Sequence, residues 1–255
     1  MKREIHVFFT ALMYYTRIPC PSWVNHDPNY LNLSTRYFPL IGFIVGGLAA
    51  LVMGLSLEIF PASLAVLLGL GFSLLTTGAF HEDGLADVMD GFGGGWTKEK
   101  ILDIMKDSRV GTFGVAGLVV VLGLKTVALY HGLAHGIWPT LLFSIFAHGV
   151  SRCFALSTMY LIPYAQEDAL SKAKPIATHP KKLNLLIGWG WIVPWLLFAP
   201  FAWWLTLLAP ALVWLWLVRM SKKWIGGYTG DVLGSIQQLT EVFLLLSFVA
   251  LWNWF

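Results

Sequence analysis

Four of the 14 acidic residues lie close together in His81-Glu82-Asp83-Gly84-Leu85-Ala86-Asp87-Val88-Met89-Asp90-Gly91-Phe92-Gly93-Gly94-Gly95, directly after a long apolar run. Helical backbone would set Asp83, Asp87 and Asp90 at i, i+4 and i+7, so their carboxylates leave one face within about two turns. Crowded carboxylates repel unless a cation sits among them. A row of hard oxygen ligands suits Mg²⁺, which takes a few carboxylates and keeps positions for water and substrate phosphates. Gly91, Gly93, Gly94 and Gly95 are expected to end the helix in a flexible turn where backbone can approach a bulky ligand. A solvated acidic helix end is the competing explanation; the position of this row at the mouth of an apolar run favours a metal-diphosphate site.

Two more groups carry chemistry. In Asp103-Ile104-Met105-Lys106-Asp107-Ser108-Arg109-Val110-Gly111-Thr112-Phe113-Gly114, Lys106 and Arg109 could grip phosphate oxygens, the arginine through its planar fork. Asp103 and Asp107 would hold a second ion or order those cations, and an ordinary charged interfacial helix would look the same. In Gly226-Gly227-Tyr228-Thr229-Gly230-Asp231-Val232-Leu233-Gly234, glycines on either side of Asp231 would bring backbone N–H groups and a carboxylate close to a ligand; plain turns share this pattern. Three charges lie inside apolar sequence. Glu241 there costs up to about 2.5 to 3.5 kcal/mol near mid-membrane and marks a site. Lys125 either pairs with a carboxylate or snorkels, and snorkelling is the plain reading of Arg152. His148 reads as a hydrogen-bonded core histidine.

The elements that must position these groups follow from composition. With 57% hydrophobic and 12% charged residues, no soluble arrangement covers the apolar surface, so the chain is expected to be an all-α polytopic membrane bundle, a single domain over 1–255. About seven transmembrane helices are expected, at Phe38 to Leu57, Ala62 to Phe80, Gly111 to Tyr130, Ile137 to Leu156, two short ones in Leu183 to Val218 broken near Pro200 to Pro210, and Leu239 to Phe255. Glycines 42, 46, 47, 69, 71 and 78 would allow close helix contact. Residues 4 to 18 form an interfacial helix stopped by Pro19 and Pro21. The stretch Ile5 to Met13, interrupted by His6, is too short for a signal peptide. Most of the 13 Trp read as interface anchors or lipid-facing bulk. Cys20 and Cys153 lack the spacing of a zinc site or disulfide framework. The net charge of +3 is small, and its basic residues lie in loops, which makes nucleic acid an improbable partner and the lipid bilayer the natural one. Apart from Lys125 and Arg152, every Lys and Arg falls on one side of the seven-span arrangement, which puts the acidic stretch in the cytoplasm and the C-terminus outside.

On these residues the sequence resembles the cobalamin synthase family, the adenosylcobinamide-GDP ribazoletransferases, often written CobS. The matching pieces are Tyr15-Thr16-Arg17-Ile18-Pro19, Phe38-Pro39-Leu40-Ile41-Gly42, the acidic stretch with its glycine tail, Ile104 to Gly114 and Gly227 to Gly234, in the family's order over almost the whole chain. One departure is Gln166-Glu167-Asp168-Ala169-Leu170-Ser171, where a Gly-Leu-Gly-like element is expected. The resemblance implies a multi-pass bacterial inner-membrane enzyme, active on the cytoplasmic side and needing Mg²⁺. It would join adenosylcobinamide-GDP to α-ribazole or its 5′-phosphate and release GMP. On this reading Asp83, Asp87 and Asp90 hold Mg²⁺, and Glu82 is a further ligand or a base. Lys106, Arg109 and Arg152 hold diphosphate oxygens, with Gly93, Gly94, Thr229 and Gly230 around the substrate. Asp231 completes the metal site or activates the nucleophile. Association into a homo-oligomer stays open.

Rival readings are a CDP-alcohol phosphotransferase or prenyltransferase and a cation transporter. The first expects an Asp-Gly-x-x-Ala-Arg core, and here Asp87 follows Ala86 with no Arg in that place. The second expects a better repeated aspartate motif than Thr229-Gly230-Asp231. A transporter could line Glu241, Lys125 and Arg152 along a pathway, but would not need the glycine triplet and cationic helix beside the carboxylates.

Overall fold

A computed structural model describes residues 2–25, 27–165 and 181–252. Thirteen α-helices occur among them: α1 (Lys2–Tyr15), α2 (Pro28–Ser34), α3 (Phe38–Leu57), α4 (Ala62–Thr77), α5 (Phe80–Gly94), α6 (Lys98–Met105), α7 (Thr112–His135), α8 (Ile137–Leu161), α9 (Lys182–Gly190), α10 (Val193–Phe198), α11 (Ala202–Leu205), α12 (Leu208–Trp224) and α13 (Gly230–Leu251). The protein is an all-α membrane bundle. Five helical stretches are long and apolar enough to cross a bilayer, ending in α3, α7, α8, α12 and α13, and α4 with α5 forms a sixth only as a pair bent by 88°. The 88° bend sets α5, which carries the acidic row, across the direction of α4.

α8 and α13 are the buried centre of the bundle. α3 lies against α8 because glycines leave room: a Cβ on Gly42 would meet Arg152 Cδ at 2.6 Å, and one on Gly46 would meet His148 Cβ at 2.8 Å. Gly69 does the same between α4 and α3, 2.9 Å from Met53 Cβ, whereas Gly47 and Gly71 face open space. Of the expected contact glycines, then, only those on the inner stripe act. Outward positions such as Leu51, Leu55, Leu75 and Val119 stay exposed, as expected of a lipid-facing surface.

Two expectations are corrected. The region 183–218 does not hold two regular spans. Prolines at 194 and 200 remove the N–H groups a continuous helix needs, leaving the short α9, α10 and α11 before the regular α12. Just after α9, Trp191 Nε1 donates to Arg36 O at 3.1 Å, and in α11 Trp203 packs on Phe143 and Phe248. Trp203 is therefore core, unlike the exposed Trp138 and Trp216. The last helix begins at Gly230 rather than Leu239, because its polar residues face inward.

Candidate active site

The acidic row is helical, as its spacing predicts, and the glycine run ends it, though only at its last members, with Gly95 as the cap. α5 runs through Gly91 and Gly93 to Gly94. A Cβ on Gly91 would meet Met105 Cγ at 2.6 Å, one on Gly93 would meet Phe113, and one on Gly95 would meet Ile101. These glycines admit α6 and the start of α7, Gly93 lying against Phe113 and Gly94 in ordinary contact with Ile104.

α5 reaches α13 through a close crossing. A Cβ on Gly84 would lie 2.8 Å from Asp231 Cα and 2.9 Å from its carbonyl oxygen, and one on Gly234 would lie 3.1 Å from His81 O. Asp83 and Asp87, on either side of Gly84, are thereby brought to Asp231. The electrostatics register it: Asp87 is pushed up to about 7, first by burial, then by Asp231, Asp83 and Asp90. Asp231 is steadied by Thr229, whose hydroxyl donates to its Oδ2 at 3.3 Å. The same Thr229 oxygen caps α13 by accepting from Val232 N–H at 3.2 Å. Gly230 has open space where a Cβ would stand.

Asp90 has a different surrounding. Its Oδ2 accepts from Gly111 N–H at 2.6 Å and its Oδ1 from Gly114 N–H at 2.9 Å. A carboxylate at the N-terminus of α7 satisfies orphan donors and complements the helix dipole, so Asp90 ties α5 to α7. Beyond it, Lys106 is exposed. Arg109 is turned to Asp107, with Nη2–Oδ2 at 2.6 Å and a side chain 87% exposed; these bonds hold the Asp107 carboxyl down to about 2.

A cavity of about 600 Å³ adjoins the row, lined by Tyr14, Arg17, Gly78, Glu82, Asp83 and Val110 among others. Asp87 and Asp231 are not in its lining. Tyr14 links the two regions: it lines the cavity and its phenol is raised to about 12 by burial, then by Tyr164 and Asp231. Among the described residues, no three His, Cys, Asp or Glu side chains form a ready cage for an ion. The acidic wall instead suits a cation held by one or two carboxylates, with water and phosphate oxygens completing its shell, as is common for Mg²⁺.

The charges inside the spans form one buried network. Lys125 Nζ donates to Glu241 Oε1 at 2.7 Å and to Gln238 Oε1 at 2.6 Å. Gln238 Nε2 donates to Glu82 Oε1 at 2.7 Å, and Gln237 Nε2 reaches Glu241 Oε2 at 2.5 Å and Ser151 at 3.2 Å. His148 Nδ1 lies 3.3 Å from Glu241 Oε2, without the alignment of a hydrogen bond. Arg152 is 2% exposed, donates to His148 O at 2.7 Å and lies 3.9 Å from Glu241. The structure thus sets Arg152 in this network, not in the cavity lining, and Lys125 has the carboxylate partner expected of it. Glu82 ties the network to α5. Sequence reasoning passed over Gln237, Gln238 and the cavity residues Tyr14 and Arg17; two amides one turn from Glu241 in apolar sequence were the available signal. The Gln166 to Ser171 departure lies outside the described residues.

A family model described as cobalamin-5-phosphate synthase, CobS, matches residues 7–249. A curated protein from Leptothrix cholodnii, named adenosylcobinamide-GDP ribazoletransferase, is 42% identical over 256 residues, covering 97% of this chain and 96% of that one. Proteins of the same name from Shewanella frigidimarina and Shewanella oneidensis are 43% and 44% identical, covering 97% and 94% of this chain and 95% and 92% of theirs. No solved structure matches.

Proposed function

The chain belongs to the cobalamin-5-phosphate synthase family, and on that premise we propose that the acidic wall where α5 crosses α13 holds a divalent cation, Mg²⁺, for transfer on a diphosphate. The reaction is that of an adenosylcobinamide-GDP ribazoletransferase. A hydroxyl of α-ribazole, or of its 5′-phosphate, forms a bond to the cobinamide-side phosphorus, the phosphorus–oxygen bond to GMP breaks, and the hydroxyl proton leaves to a base. The product is adenosylcobalamin or its 5′-phosphate.

The observation that supports the site is the glycine-mediated contact of Gly84 with Asp231, which puts carboxylates of two helices into one field. Bound there, Mg²⁺ would neutralise charge gathering on the phosphate oxygens. Asp83, Asp87 and Asp231 surround the cation, one or two of them as direct ligands and the rest through its bound waters. Asp90, engaged with α7, orients the row. Glu82 lines the cavity, its Oε2 has no hydrogen-bond partner among the described residues, and it takes the hydroxyl proton. Lys106 and Arg109, on the exposed loop before Val110, meet the nucleotide as it enters. The cavity has room for a diphosphate and part of a nucleoside, and the corrin ring stays at the membrane surface. The site faces the cytoplasm of a bacterial inner membrane: in the seven-span reading of the sequence, the Lys and Arg residues other than Lys125 and Arg152 fall on the side of the acidic stretch, which the positive-inside rule assigns to the cytoplasm.

GMP release by purified protein, supplied with both substrates and Mg²⁺, tests the assignment. Asp87→Asn and Asp231→Asn are each expected to lower the rate by about 100-fold or more. Near-normal rates in either folded variant would remove that residue from the site.

A further inference from the structure

Arg17 lines the same cavity as Glu82 and Asp83, and no reading of the acidic motifs includes it. Its stem is seated in a place made for it. Gly78 ends α4 at φ +67°, in the left-handed region, and a Cβ there would collide with Arg17 Nε and stand 3.0 Å from its Cγ and 3.2 Å from its Cδ. The main chain is fixed as well. Arg17 N–H donates to Thr76 O at 2.7 Å, Ile18 N–H to Thr16 Oγ1 at 3.2 Å, and Thr16 Oγ1 itself to Leu12 O at 2.6 Å.

The guanidinium, by contrast, has no hydrogen-bond or ion-pair partner among the described residues. It is exposed to a cavity that also carries carboxylates, without closing on them. A positioned cation and an acidic wall sharing one cavity suit an anion that brings its own divalent ion: the metal meets the carboxylates, and the planar fork meets the remaining oxygens. The Tyr14 phenol, protonated at neutral pH, adds a donor to the same lining. We propose that Arg17, seated against Gly78, binds phosphoryl oxygens of the nucleoside diphosphate bridge in this cavity. This inference rests on the proposed transferase reading.

Initial rates of GMP release against adenosylcobinamide-GDP concentration, at saturating Mg²⁺ and α-ribazole phosphate in neutral-lipid nanodiscs, test it, with GDP as a competing probe. Arg17→Ala should raise KM, and the inhibition constant of GDP, about 10- to 100-fold. Arg17→Lys, which keeps the charge but loses the fork, should raise both by less, a graded rescue that a merely structural role would not give. If Arg17→Ala does not purify as folded protein, Arg17→Gln replaces it with the same expectation. KM and GDP inhibition within about twofold of wild type in folded neutral variants would overturn the proposal, as would an effect seen only when anionic lipid is present, which would assign Arg17 to a headgroup phosphate. Wild-type protein that releases no GMP would instead defeat the transferase reading itself, so the two failures are distinct.

Discussion

Burial, and after it the three neighbouring carboxylates, push Asp87 up to about 7 from a usual value of 3.8. In metal-free protein its folded form keeps a proton between about pH 4 and 7 that the unfolded chain has already released. Stability from this group therefore falls as pH rises through that window and stays low above it. Bound Mg²⁺ cancels the repulsion, so its stabilising effect should grow with pH. Thermal unfolding of detergent-purified protein checks this: the Mg²⁺-induced rise in Tm should be larger at pH 8 than at pH 5, and Asp87→Asn should flatten the difference. A pH-independent Mg²⁺ shift would contradict the assignment. At this scale the sequence was informative where charge is costly. Glu241 and Lys125 stood out because an ion in apolar sequence needs a reason, and they proved to be each other's reason. Arg17 stood in one of the pieces that carry the family resemblance, but its role was not legible, since a lone cation in a short loop is ordinary until its neighbours are known.

The helices themselves follow from periodicity and length wherever lipid surrounds them. α3 has the bounds its apolar run predicts. One failure occurred where polar residues face inward: Asp231, Gln237 and Gln238 depress the hydropathy of a helix that α5, α7 and α8 cover, so the start of α13 was hidden. The glycine run does end α5, at Gly94, yet Gly serves a tight helix contact as well as a turn, and only the partner helix distinguishes them. Gly84 belongs to the first class. Gly84→Ala places a methyl 2.8 Å from Asp231 Cα, where backbone must move. A displacement of about 1 Å between α5 and α13 is expected to cut GMP release by about 100-fold, while Gly71→Ala, with open space at its Cβ, should leave it within about twofold. Equal rates for the two variants would show that the crossing does not set the site.

Among the described residues, Glu82, Asp83 and Arg17 line one cavity, while Glu58 and Ile137 line another, and the proposed topology sets the two on opposite sides of the bilayer. Single cysteines introduced into a Cys20→Ser background report that polarity. Ser108→Cys should react with an impermeant maleimide only from the cytoplasmic side, and Glu58→Cys only from outside; the reverse pattern would invert the proposed topology. The central claim is that two helices remote in sequence share one divalent ion. Titration of purified protein with Mn²⁺ in the presence of GDP, followed by electron paramagnetic resonance, measures this directly. The account predicts a bound-ion signal in wild type that is weakened at least about tenfold in affinity by Asp83→Asn, Asp87→Asn and Asp231→Asn alike. Wild-type affinity in folded Asp231→Asn protein would contradict it.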